Sequence, residues 1–223
     1  TKVKLGATCD GKLVAADVEC LMASGAYNGN PAGIPAFMAT ACYKLKDARS
    51  TGRSVYTNKP KIHAYRAPSI PQVTPGFELA ITELAAELGI DPIEFRLMNA
   101  VEEGDANMMG APYKRIGLRE CLEVARNHGH YKSAVAEGAG RGVAMGYWIN
   151  AGMQSSATLN VIADGHVSIL TGSPDIGGSR AAMALMASEV LGIPFEHIHP
   201  QVAATDAVGH TDVTGGSRTT LAT

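Results

Sequence analysis

Residues 157–202 read ATLNVIADGHVSILTGSPDIGGSRAAMALMASEVLGIPFEHIHPQV, and this stretch decides the fold. Its residues 157–162 and 167–170 have strand character and flank Asp164-Gly165, a dipeptide that closes tight hairpins because both positions tolerate positive φ. A glycine-rich turn then leads into a helix over 179–191, stopped by Gly192. Residues 198–202 read as a further strand. Strands and helices mix without the strict alternation of a doubly wound sheet, so the expected fold class is α+β.

Upstream, Gly138-Ala139-Gly140-Arg141-Gly142 reads as a flexible joint, dividing the chain into domains of 1–137 and 138–223; a strand is expected at 143–148. The first half opens with apolar alternation on both sides of Asp10-Gly11, a second hairpin signal. Residues 27–35 read as a loop, and 36–43 fit either helix or strand. Short strands are expected at 54–57 and 62–65. Pro68, Pro71 and Pro75 then keep the backbone extended, so that a helix starts only after them, over 76–88. Asp91-Pro92 supplies an N-cap and a first-turn proline for a second helix, and 118–127 has helical spacing for a third.

With 223 residues, 46% of them hydrophobic and 18% charged, the chain has the composition of a folded protein of one or two domains. A net charge of −2 provides no basic field for a nucleic-acid backbone. The longest apolar run, around Met183 to Ala187, is far too short to span a bilayer. Cys9, Cys20, Cys42 and Cys121 form no CxxC pair and have no histidine at metal spacing, which reads as buried, reduced thiols of a cytoplasmic protein.

Two loops combine glycines, a hydroxyl and an arginine. Gly172 to Arg180 lies between a strand and a helix N-terminus, where free N–H groups and the helix dipole favour an anion. Gly215-Gly216-Ser217-Arg218-Thr219-Thr220 pairs close-approach glycines with hydroxyls and a bidentate donor. Neither is a P-loop or a dinucleotide fingerprint, which disfavours ATP and NAD. A third segment, Tyr65 to Gln72, reads by itself as a proline-rich turn. Neither His128/His130 nor His197/His199 has a third ligand at metal spacing, so no metal ligand is assigned. Glu78, Glu83 and Glu87 read as solvated helix-face carboxylates, and Ser155, Ser156 and Ser217 lack a nucleophile-elbow pattern.

Five stretches, in this order, carry a resemblance: 3–27 (VKLGATCDGKLVAADVECLMASGAY), 55–72 (VYTNKPKIHAYRAPSIPQ), 83–105 (ELAAELGIDPIEFRLMNAVEEGD), 171–194 (TGSPDIGGSRAAMALMASEVLGIP) and 212–220 (DVTGGSRTT). Together they resemble the molybdenum-binding large subunit of the xanthine dehydrogenase, aldehyde oxidase and bacterial molybdenum hydroxylase family, of which the chain reads as an internal fragment. The resemblance implies two partial molybdopterin-binding domains and a molybdenum-molybdopterin cofactor in its cytosine dinucleotide form. It makes Arg66, Ile176, Gly177, Gly178, Ser179, Gly216, Ser217, Arg218 and Thr219 the candidate cofactor contacts. Ala67 and Pro68 fall on the substrate side. Trp148 is either a pocket or a core residue.

The implied chemistry is oxidoreduction: hydroxylation of an aldehyde or N-heterocycle carbon with oxygen from water, with electrons leaving through [2Fe-2S] centres to FAD on partner subunits or domains. The general-base glutamate of the family is expected beyond Thr223, so no residue here is assigned as catalytic and the fragment alone is expected to be inactive. Two departures point to a different pocket: Gly177-Gly178-Ser179 stands where many members have Gly-Gln-Gly, and YRAPSIPQ where they have FRGFGGPQ. Apolar surface normally covered by further domains is expected to drive association. The rival readings are a free-standing anion- or nucleotide-binding module and a structural interaction domain.

Overall fold

The computed structural model describes residues 1–29, 32–107, 110–150 and 152–223 and forms two compact units, Thr1–Trp148 and Ile149–Thr223. Unit 1 opens with a hairpin of β1 (Lys2–Ala7) and β2 (Leu13–Gly25), with the Asp-Gly turn where the sequence places it. A six-residue helix, α1 (Gly33–Met38), carries the chain over to β3 (Asp47–Tyr56), which pairs parallel to β2. The loop expected at 27–35 therefore gives way to helix at Gly33; its Asn30 and Pro31 lie outside the described residues. Four helices follow: α2 (Ile70–Glu87), α3 (Pro92–Asn99), α4 (Leu118–Asn127) and the single turn α5 (Gly129–Lys132).

In α2, Val73, Phe77, Ile81 and Ala85 recur every four residues and are fully buried, forming the stripe that packs on the sheet. Each large side chain buried there contributes roughly 1.5–3 kcal/mol. The helix starts six residues earlier than the prolines suggest. Pro71 occupies its second position, where a missing N–H costs nothing, and Pro75 forfeits one internal hydrogen bond while Val73 and Phe77 on either side of it stay buried. Asp91 caps α3 as expected, its carboxylate accepting from the N–H groups of Ile93 (2.8 Å) and Glu94 (3.1 Å).

Other expectations are corrected. Strand β3 is ten residues long, and the reading over 54–57 catches only its end, because an edge strand of Asp, Arg, Ser and Thr carries no apolar alternation. Residues 62–65 are not a strand. The backbone at Pro60–Ile62 instead lies over Gly25 and Gly29, where a Cβ would stand 2.1 Å from the Pro60 carbonyl oxygen and 2.2 Å from that of Ile62. Residues 143–148 are likewise irregular, and the Met145 N–H donates to the Glu78 carboxylate (2.9 Å) in place of a ladder partner. Cys20 and Cys42 are buried but Cys9 and Cys121 are exposed.

Glu78 is also no solvated carboxylate. It is 4% exposed, and its Oε2 accepts from Arg96 Nε (3.0 Å) and Nη2 (2.8 Å) while its Oε1 accepts from the Tyr43 hydroxyl (2.5 Å). Burial first, and then this carboxylate, pushes the Tyr43 hydroxyl well above its ordinary pKa.

Asn99 ties the hairpin to α3. Its amide donates to the carbonyls of Gly11 (2.9 Å) and Phe95 (2.8 Å), and its Oδ1 accepts from the Leu13 N–H (2.8 Å), all at 1% exposure. Asn99→Ala is expected to destabilise unit 1 by about 2 kcal/mol, since the Leu13 donor and the Gly11 acceptor lose their partner. Chemical denaturation of the two proteins measures this, and an unchanged midpoint contradicts the assignment.

Unit 2 uses the same order of strands. β4 (Ala157–Val161) and β5 (Val167–Thr171) form a hairpin, α6 (Ser179–Leu191) crosses over, and β6 (Ile198–Val202) pairs parallel to β5. Val167, Ile169 and Ile198 pack with Ala184 in a small core. A short helix, α7 (Thr219–Ala222), follows the second glycine loop. Mixed sheets with helices bear out the α+β class. Among the described residues no helix is long and apolar enough to cross a membrane.

Candidate cofactor-binding loops

Both glycine loops follow the carboxyl ends of the parallel pair β5 and β6 in unit 2, the side on which open α/β sheets bind ligands. In the first loop Gly177 (φ +58°) and Gly178 (φ +87°) are left-handed, and a Cβ on either would meet nothing within 4 Å. Among the described residues their N–H groups have no partner, and they open at the N-terminus of a 13-residue helix. Ile176 is exposed beside them, and its N–H donates to Ser179 Oγ (3.1 Å).

Asp175 already occupies part of this helix terminus. Its carboxylate accepts from Arg180 Nε (2.8 Å), the Arg180 N–H (3.2 Å) and Ser179 Oγ (3.2 Å). The Arg180 guanidinium, then its backbone N–H and Ser179, hold the Asp175 carboxyl below the usual carboxylate range. Arg180 thus offsets the Asp175 charge and leaves the two glycine amides as the available donors.

In the second loop, Gly216 (φ +73°) and Ser217 (φ +57°) turn the chain in left-handed conformations, and Asn150 Nδ2 holds the Ser217 carbonyl (2.9 Å). Thr219 opens α7, half-buried. Arg218 points inward and is 1% exposed. It donates to the carbonyls of Gly152 (3.1 Å), Asp212 (3.0 Å) and Gln154 (2.7 Å) and to Ser155 Oγ. Its four hydrogen bonds set the shape of the loop. Asp212 accepts from the Gln154 N–H (2.9 Å), which with His210 keeps its carboxyl below the ordinary value.

A chain of hydroxyls joins the two loops. Ser173 Oγ, at the root of the first, lies 2.7 Å from Thr223 Oγ1, which donates to Ser155 Oγ (3.2 Å), the partner of Arg218. At Gly172, next to Ser173, the chain passes close to the 208–211 segment: a Cβ there would stand 3.1 Å from Val208 and 3.4 Å from Thr211 Oγ1. The joined set offers backbone N–H groups, hydroxyls and a helix dipole, which suit a phosphate group. Among the described residues no three His, Cys, Asp or Glu side chains converge as a metal cage.

The remaining sequence candidates lie in unit 1. Arg66 (φ +28°) and Ala67 (φ +46°) are left-handed non-glycine residues, with Arg66 exposed and Ala67 and Pro68 half-buried, just before α2. Trp148 is half-buried, and among the described residues its Nε1 has no hydrogen-bond partner. Sequence analysis placed Ser173 and Asp175 within the first loop without giving either a role, and assigned no binding role to Ser155 or Thr223. Only Asp175 carried a usable signal, an acidic residue placed just ahead of a helix start.

Residues 1–100 match the family model of one molybdopterin cofactor-binding domain, and residues 119–223 match that of a second. The chain belongs to the molybdopterin cofactor-binding family. It is 31% identical over 213 residues to the putative xanthine dehydrogenase molybdenum-binding subunit XdhA of Escherichia coli K12, covering 87% of this chain and 28% of that protein. It is 32% identical over 210 residues to the aldehyde oxidoreductase molybdenum-binding subunit PaoC of the same strain, covering 88% and 28%. Its structure is similar to that of the aldehyde oxidoreductase from Desulfovibrio gigas, with a TM-score of 0.77 and 25% identity over 97% of this chain and 26% of the other. The chain therefore spans less than a third of the length of these relatives.

Proposed function

We propose that this chain is the cofactor-holding part of a molybdenum hydroxylase large subunit, and that the loops at Ile176–Ser179 and Gly216–Thr219 carry the phosphate end of the pterin. The observation that carries the reading is the pair of open, left-handed glycine amides at the N-terminus of α6, beside a second loop tied to it through Ser173, Thr223 and Ser155. Arg218 shapes the second loop from inside, and Arg66 is the contact proposed from unit 1. Ala67, Pro68 and Trp148 are proposed for the substrate side. In sequence, the first cofactor domain is proposed to run over 1–137 and the second over 138–223.

When bound, the cofactor supplies the redox chemistry that hydroxylates an aldehyde or N-heterocycle carbon with oxygen from water. The residues of this chain bind and orient it. Gly177 and Gly178 donate N–H groups, Ser179 fixes the turn through Ile176 and Asp175, and the dipole of α6 favours the phosphate charge. The cytosine dinucleotide form, FAD and [2Fe-2S] partners, an oligomeric assembly and a cytoplasmic location belong to the same proposal.

The test is molybdenum and pterin analysis of the complete subunit purified with its partner subunits, alongside Gly178→Asp. Aspartate is among the side chains that best tolerate a left-handed backbone, so at φ +87° it brings a second carboxylate toward the ligand at a moderate cost in strain. The expected result is stoichiometric molybdenum and pterin in the parent and at least a tenfold loss in the variant, a larger loss than in Gly178→Asn, which carries the same backbone strain without the charge. A well-folded complex without molybdenum, or a variant that retains it fully, overturns the reading.

A further inference from the structure

The sequence holds two His-x-His pairs, and the fold treats them differently. At 128–130 the His128 Nδ1 accepts from the His130 N–H (3.1 Å) as a helix cap and is used up locally. At 197–199 the sheet brings in a third histidine, His166, which immediately precedes β5. Val167 pairs with Ile198 and Ser168 with His199, and Val167 and Ile198 are buried in the small core of unit 2. Alternation along the strands therefore turns His166 and His199 to the opposite, solvent-facing side.

There His166 Nδ1 lies 2.8 Å from His199 Nε2. The His166 ring stacks on His197 at 4.4 Å between centroids and 20° between planes, and on His199 at 5.1 Å and 11°. No carboxylate pairs with any of the three rings among the described residues.

From this geometry we propose that His166 and His199 chelate a divalent transition-metal ion, such as Zn²⁺, on the open face of the β5–β6 pair, with His197 packed behind His166. The two nitrogens already aim at each other, and the proton between them need only sit on the far nitrogen of its ring, the other neutral tautomer, for both lone pairs to face an ion. Two imidazole nitrogens each about 2.05 Å from a tetrahedral ion stand roughly 3.3 Å apart, so an opening of about half an ångström admits the ion. The His199 ring is exposed and can move that far. Imidazole ligands suit Zn²⁺, Cu²⁺ and Ni²⁺, whereas Mg²⁺ and Ca²⁺ require an oxygen set that the face lacks. The site is a two-nitrogen chelate completed by water, which distinguishes it from a buried structural zinc site. It does not depend on the proposed cofactor role.

Calorimetric titration of the purified, metal-free chain with Zn²⁺ tests it. One equivalent should bind, and affinity should fall at least tenfold in His166→Asn and in His199→Gln but not in His130→Gln. Nitrogen-15 NMR of the unsubstituted chain gives an independent readout if a variant does not fold: Zn²⁺ should shift His166 Nδ1 and His199 Nε2 before other imidazole nitrogens. Failure to bind Zn²⁺, or binding that leaves those two nitrogens unshifted, overturns the proposal.

Discussion

Replacing Arg96 by methionine is expected to cost unit 1 about 3–5 kcal/mol, enough to unfold a marginal domain at moderate temperature. Arg96 is fully buried, and its guanidinium is satisfied by Glu78, by Thr82 Oγ1 (3.1 Å) and by the Pro92 carbonyl (2.9 Å). Without it the Glu78 carboxylate keeps only Tyr43 and the Met145 N–H and remains a buried, uncompensated charge. The double replacement Glu78→Leu with Arg96→Met should recover part of the loss, because it removes the uncompensated charge, although the Tyr43 hydroxyl and the Met145 N–H then lose their acceptor. Hydrogen exchange over α2 and α3, compared among the three proteins, measures both effects. A single variant as protected as the parent would sink the argument.

Arg218→Ala should have an effect of similar rank in unit 2, about 3 kcal/mol, by leaving the carbonyls of Gly152, Gln154 and Asp212 without their donor. Lysine should not rescue it, since one ammonium cannot reproduce a planar fork that serves three carbonyls and a hydroxyl. Because Arg218 also anchors Ser155, and through it Thr223 and Ser173, the loss should extend to both glycine loops. The expected signature is lost exchange protection at 152–156 and 171–173 in the Arg218→Ala chain, and reduced molybdenum retention in the complete subunit carrying it. Protection unchanged at 171–173 would mean that the hydroxyl chain does not couple the loops.

How much was legible in the sequence depended on whether the controlling signal was local. The hairpins at Asp10-Gly11 and Asp164-Gly165, the Asp91 cap and the Gly192 stop are short-range chemistry, and α4, α6 and β6 stand where the sequence places them. Edge strand β3 was mostly missed because its polar residues are set by parallel pairing with β2 rather than by burial. The early start of α2 was missed because proline was given a uniform meaning, whereas its cost depends on whether its N–H would have been used.

The candidate site divided in the same way. The glycines of both loops stood out by composition. Asp175 at the helix start had a local signal, whereas the inward turn of Arg218 and the Ser173–Thr223–Ser155 link are tertiary facts with no pattern in sequence. Glu78 was misread for a related reason: helical spacing put it among exposed carboxylates, but Arg96, eighteen residues later, was there to receive it.

The shared strand order of the two units bears on the sequence of events during assembly. Each hairpin closes over a handful of residues and can form within microseconds, whereas the third strand must wait for a crossover of about twenty residues or more. In unit 2 that crossover, residues 172–197, contains the first glycine loop itself. A ligand held by the Gly177 and Gly178 amides therefore binds within the segment that the β5–β6 pairing closes, and binding to the folded unit alone stabilises the completed sheet against chains in which β6 is undocked.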